Sequence, residues 1–171
     1  MQAQARRGQV LERLRRAGAP VSASALAEAL GVSRQIIVGD VALLRAGGVD
    51  ILATPKGYLL PDGDRQGERF AVACRHSAEE MGQELSLMVD CGCTVENVIV
   101  EHPVYGQLVG QLMLSNRYDV DDFIQKVMKN GAKPLSGLTG GIHLHTLLCP
   151  DEAAFQRVRE ALRQEDILLE D

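Results

Sequence analysis

Apolar positions recur along the chain in two rhythms. Over the first sixty residues the spacing is helical. Val10, Leu11 and Leu14 share a face and predict a helix over about residues 3–17, ended by Gly18-Ala-Pro20. Leu26, Ala27 and Leu30 predict a short second helix, with Ser22 or Ser24 as its cap. Gly31 suits a left-handed helix end, Val32 can plug between helices, and Ser33 can cap a third helix from about Arg34 to Ala46. Ile37, Val41 and Leu44 point that helix inward, and Gly47-Gly48 stops it. Residues 51–60 then read as strand, tight turn, strand, with Lys56 in the turn.

Beyond Pro61-Asp-Gly-Asp-Arg-Gln-Gly67, a polar stretch rich in turn formers, strands and helices alternate. Residues 69–75 predict a strand. Ser77-Ala-Glu-Glu80 has the form of a capping box opening a helix to about Asp90. Residues 95–104 and 107–114 predict two strands joined at Tyr105-Gly106. A helix follows over 120–129 with Asp119 as its cap, then a strand over 142–148 and a helix over 151–163. The expected fold class is α+β: a winged helix-turn-helix at residues 1–61, a linker at 62–68, and a β-α-β-β-α-β sandwich with an extra terminal helix at 69–171.

Charge divides the chain at the same place. The net charge is −5, yet residues 1–60 carry eight Lys/Arg against four Asp/Glu, and residues 61–171 carry ten against nineteen. The basic front suits nucleic acid and the acidic back would be repelled by it. Apolar residues make up 46% of the chain and charged residues 24%, which excludes wholesale disorder. No apolar run approaches the roughly 18–20 residues of a membrane span, and the first residues lack the apolar stretch of a signal peptide. A cytoplasmic, membrane-free protein with reduced cysteines is expected. Cys91-Gly-Cys93 lacks structural-zinc spacing and reads as a turn with ordinary thiols. Cys74 and Cys149 read as packing residues.

In the front unit, a short helix, a Gly-centred turn, a capped third helix and a basic wing together suggest a module that places the third helix in the major groove of double-stranded DNA. Ser33, Arg34 and Gln35 sit on its first turn, where side chains reach base edges; Arg suits guanine and Gln suits adenine. Arg6, Arg7 and Lys56, with Arg45, are candidate phosphate contacts. A three-helix protein-interaction module with merely solvated charges is the alternative. Gly39 costs a mid-helix position about 1 kcal/mol of propensity.

All four histidines lie in the back unit: His76, His102, His143 and His145. In Ile142-His-Leu-His-Thr146, alternation puts both imidazoles on one sheet face, a chelate that zinc, nickel or iron(II) would accept. The same pattern fits two solvated histidines on an open face. Residues eight apart on one helix are roughly 12 Å apart. His76 must therefore precede the helix if it shares a metal with Glu84, which Ser77 as cap allows. His102 shares a strand face with Val98 and Val100 and fits a core histidine bonded to backbone equally well. In Pro134–Gly141, Ser136, Thr139, Gly140 and Gly141 would let backbone N–H groups approach a small anion; a plain turn-rich connection is the alternative.

Val100-Glu-His-Pro-Val-Tyr-Gly106 and Pro134-Leu-Ser-Gly-Leu-Thr-Gly-Gly-Ile-His-Leu-His145 resemble the three-histidine (3H) domain. Val32-Ser-Arg-Gln35 and Ile51-Leu-Ala-Thr-Pro-Lys-Gly-Tyr58 are similar to the DNA-binding unit that accompanies it. The resemblance covers nearly the whole chain. It implies a bacterial transcriptional repressor of niacin uptake and NAD synthesis genes that answers to nicotinic acid. It further implies a homodimer with one divalent transition metal (nickel, zinc or iron) per chain. By motif match the metal positions are His76, Glu84, His143 and His145, with His102 at the effector pocket and Tyr105 beside it. The family's recognition helix usually carries Thr where this chain has Ile36, and Arg where it has Gly39, so operator choice or affinity is expected to differ.

Three functions remain in competition. A ligand-gated repressor fits both halves. A metal-dependent hydrolase fused to a DNA-binding unit would use the same ligands, with Glu80 or Glu101 as base. A metal sensor would need no organic effector.

Overall fold

The computed structural model describes residues 2–61 and 65–171 and divides into two compact units, Met1–Arg65 and Gln66–Asp171. Part of the predicted linker, residues 62–64, lies outside the described residues, and the first strand of the back unit already begins at Glu68.

Three helices build the front unit: α1 (Ala3–Ala17), α2 (Ala23–Leu30) and α3 (Arg34–Ala46). Their inward stripes meet in one core of Val10, Leu14, Leu26, Ala27, Leu30, Ile37, Val41 and Ile51, with Val32 and Leu44 packed against it. Ser22 caps α2 by accepting from the Ala25 N–H at 3.0 Å, and Ser33 caps α3 by accepting from the Ile36 N–H at 3.3 Å. The wing is β1 (Leu52–Thr54) paired antiparallel with β2 (Gly57–Leu59). Val21 adds a rung on the other side of β2 by exchanging two backbone hydrogen bonds with Tyr58, both 2.9 Å. This rung requires glycine at position 57, where φ is +133° and a Cβ would lie 2.3 Å from the Val21 carbonyl oxygen.

The back unit is a four-stranded antiparallel sheet of β3 (Glu68–Arg75), β4 (Thr94–His102), β5 (Gly106–Leu114) and β6 (Ile142–Cys149), in the order β3-β6-β4-β5. The last strand thus inserts between the first two, which splits the β-α-β unit as the element order predicted. A 3-10 turn (Ala78–Glu80) leads into α4 (Met81–Asp90). This helix, α5 (Arg117–Lys129) and α6 (Glu152–Gln164) enclose one apolar core with the sheet, built largely of Leu, Val, Met and Cys. The chain end after α6 is drawn onto the β3 edge, with Arg75 N–H donating to the Ile167 carbonyl at 2.8 Å.

Two local expectations change. The cap of α5 is Asn116, not Asp119, because the helix starts a turn earlier. The Asn116 side chain accepts from the Asp119 N–H at 2.9 Å, and the Asp119 carboxylate accepts in return from the Ser115 N–H at 2.9 Å. The segment before β6, read as an anion-approaching stretch or a plain turn-rich connection, is a 3-10 turn, Leu135–Thr139.

Candidate functional site

The register of the sheet decides what the H-x-H pair faces. His143 lies opposite Cys74, and His145 opposite Val72 on one side and Val98 on the other. These neighbours line the helix-covered face, so the imidazoles are buried and Ile142 is the exposed residue. The open-face reading of the pair is thereby corrected. His76 follows the end of β3, just before the capping box. There the Glu80 carboxylate accepts from the Ser77 N–H at 2.8 Å and from its hydroxyl at 2.9 Å. Glu80 is therefore engaged as a cap and is not a spare base. On the first turn of α4, Glu84 points down at the sheet.

The four predicted ligand side chains meet and are 1–3% exposed. His76 Nε2 lies 2.6 Å from Glu84 Oε2, and His143 Nε2 2.7 Å from Glu84 Oε1. His145 Nε2 is 3.2 Å from Oε1 but out of hydrogen-bonding alignment, and is a buried nitrogen with no hydrogen-bond partner. Each ring is held from behind by a backbone carbonyl: His76 Nδ1 by Ser77 at 2.6 Å, His143 Nδ1 by Gly141 at 2.8 Å, and His145 Nδ1 by Asn97 at 2.7 Å. A carbonyl only accepts, so each Nδ1 carries the proton and each neutral ring presents an Nε2 lone pair.

The consequence is electrostatic. With neutral rings, three lone pairs and two carboxylate oxygens converge in a buried site with no ring proton among them, and a buried unsatisfied polar atom costs about 1–3 kcal/mol. With three imidazolium rings the same pocket would hold three positive charges against one negative. A divalent cation satisfies all four groups at once. Histidines whose second nitrogen donates to a carbonyl are the usual form of metal-bound histidine. The donor set of three imidazoles and a carboxylate fits zinc, nickel or iron. Burial pushes the Glu84 carboxyl up, but wherever the facing rings of His145, His143 and His76 are protonated, their charge and hydrogen bonds outweigh it and hold the group well below the usual carboxylate range.

Cys74 is not a mere packing residue. Its sulfur, a Glu84 oxygen and a His143 nitrogen lie within 4.8 Å of one another, and all three residues are buried. Burial first, then the Glu84 charge and a hydrogen bond to Glu84, push its thiol up, so it stands as an S–H donor to the carboxylate. Nothing in the linear sequence marks it; only its pairing with His143 does.

The expected anion loop is closed upon itself. The N–H groups of Gly137, Gly140 and Gly141 bond to Pro134 and Ser136 carbonyls, and the Thr139 hydroxyl donates to the Ser136 and Ile142 carbonyls. Ser136 is itself buried. These groups shape the site: at Gly141, φ is +93° and a Cβ would sit 2.5 Å from the His76 carbonyl oxygen. His102 Nδ1 accepts from the Val104 and Tyr105 N–H groups at 3.1 and 3.2 Å, which fixes the β4–β5 turn and leaves the proton of the neutral ring on Nε2. Tyr105 is exposed, its ring 5.1 Å from that of His102.

In the front unit Ser33, Arg34 and Gln35 are exposed at the start of α3, and Lys56 lies in the wing turn. Arg6 is otherwise engaged. Its guanidinium grips the buried Asp40 at 2.6 and 3.2 Å, with Arg7 3.8 Å from the same carboxylate, so these residues tie α1 to α3. Asp40 sits among the inward positions Ile37, Val41 and Leu44, and is itself buried. Arg45 donates to the Ile51 carbonyl at 2.9 and 2.7 Å and braces the wing rather than reaching for phosphate.

Residues 69–171 match the 3H domain and residues 6–59 an HTH domain. The chain is 42% identical to the transcription repressor NadR of Bacillus subtilis over 97% of its own length and 94% of the relative's. It is also 42% identical to a probable transcription repressor NiaR of Thermotoga maritima, over 92% and 90%. Among the described residues no helix is long and apolar enough to cross a membrane. A helix-turn-helix unit joined to a buried histidine–carboxylate cage, in relatives named as repressors and not as enzymes, places the chain in the 3H-domain family of DNA-binding transcription repressors.

Proposed function

We propose that this repressor acts as a homodimer on a palindromic operator in the cytoplasm, silences genes of niacin uptake and NAD synthesis, and takes nicotinic acid as co-repressor. The observation that carries the regulatory half is the convergence of three Nε2 lone pairs on Glu84, each ring backed by a carbonyl. His76, Glu84, His143 and His145 would hold one nickel, zinc or iron ion per chain. When bound, such an ion supplies a positive centre that attracts a carboxylate. The effector's carboxylate is assigned to that ion, since the Gly137, Gly140 and Gly141 N–H groups are occupied, and its ring nitrogen to the His102 Nε2 proton beside Tyr105. Nicotinamide lacks the charge and should bind less well. On the DNA side Arg34 and Gln35 read bases, Ser33 holds the helix start, and Arg7 and Lys56 are the candidate phosphate contacts.

A second reading is favoured by the near-complete burial of the four ligands: the metal alone is the signal. One variant tests the site under both readings. His143→Ala removes half the strand chelate and is expected to lose its metal by elemental analysis and, with it, any nicotinate effect on operator binding. Full metal occupancy in that variant overturns the assignment.

A further inference from the structure

The outward side of α3 carries an exposed apolar residue where it would meet DNA. Ile37, Asp40 and Val41 are its buried positions, and helical periodicity turns Gln35, Ile36 and Gly39 outward together. Ile36 is 41% exposed on the first turn, beside Arg34 and Gln35, and is not among the residues packed on the front core. One turn on, Gly39 has open space where a Cβ would stand, with nothing within 4 Å. The helix therefore presents the branched apolar side chain of Ile36 next to bare backbone at Gly39, following the polar readers Arg34 and Gln35, with Leu43 exposed farther along the same side. In the major groove the one apolar feature of a base edge is the C5-methyl group of thymine.

We infer that Ile36 is a specificity-determining residue that reads a thymine methyl, and that Gly39 leaves the groove unobstructed for that approach. The inference rests on α3 being the recognition helix and adds a base to its code. Arg34 and Gln35 make hydrogen bonds, whereas Ile36 makes an apolar contact that salt does not weaken.

The test uses the full chain and an operator selected from randomised duplexes. Each thymine of the selected site is replaced in turn by deoxyuridine, which lacks only the methyl. One symmetry-related thymine pair should then cost the wild type about fourfold in affinity per site, the worth of burying one methyl-sized group. Ile36→Ala should bind the thymine operator correspondingly less well and be indifferent to deoxyuridine there, and Ile36→Val should fall between. The same deoxyuridine penalty in Ile36→Ala as in the wild type, or no thymine whose methyl matters, overturns the inference while leaving DNA reading by α3 intact. Failure of the wild type to select any duplex removes the DNA-reading assignment, and this inference with it.

Discussion

At the scale of single residues, Glu84 is the group on which the back unit turns. It is the only anion facing three imidazole lone pairs, and His145 Nε2 remains without a hydrogen-bond partner among the described residues. Glu84→Gln replaces one acceptor by an amide NH2 that can donate to a ring nitrogen. The metal-free variant is therefore expected to melt at or above the metal-free wild type, whereas added metal should raise the melting temperature of the wild type far more than that of the variant. Calorimetry of both proteins with and without metal checks this; a metal-free variant that melts well below the metal-free wild type would contradict the lone-pair cage. The strand alternation of His143 and His145 was legible in the sequence, because a period of two sorts side chains to faces without any tertiary knowledge. The Ser77 cap allowed His76 and Glu84 to share a site, but only the motif resemblance assigned them to it. Cys74 was not legible, since its place depends on which strand pairs with β3, and the inserted β6 supplies a partner nearly seventy residues away.

Among the elements, the decisive one is the short connection from α5 into β6. Its glycines and hydroxyls read as an anion nest, yet they fold into a 3-10 turn whose hydrogen bonds are internal. The composition was visible and the hydrogen bonding was not, because Gly, Ser and Thr serve both ends equally well. What the turn provides is a close approach: the Gly141 carbonyl orients His143, and the missing Cβ of Gly141 admits the backbone of His76. Gly141→Ala alters no ligand side chain, yet it should push His76 away and lower metal affinity by about 10- to 100-fold, as loss of outer support usually does. Competition against a chelator measures this, and an unchanged affinity would show that the turn does not hold the cage. In the front unit the helix boundaries, caps and wing fell where the apolar spacing and the Gly and Ser signals put them. The role of Arg6 did not, because a cation on a helix looks the same in sequence whether it meets phosphate or a buried Asp40.

For the whole molecule, the histidine–carboxylate cage and helix α3 belong to different compact units. Any effect of an effector on the operator is then a coupling between sites, and a regulatory coupling of about 1–3 kcal/mol corresponds to roughly 5- to 150-fold in affinity. By linkage the operator must tighten nicotinate by the same factor. The most direct measurement is operator affinity at fixed salt under four conditions: metal-free and metal-loaded protein, each with no nicotinate and with saturating nicotinate. The expected result is tightening of at least fivefold that needs metal and nicotinate together. Tightening by metal alone, unchanged by nicotinate, or the same affinity in all four conditions, would contradict a nicotinate-gated repressor.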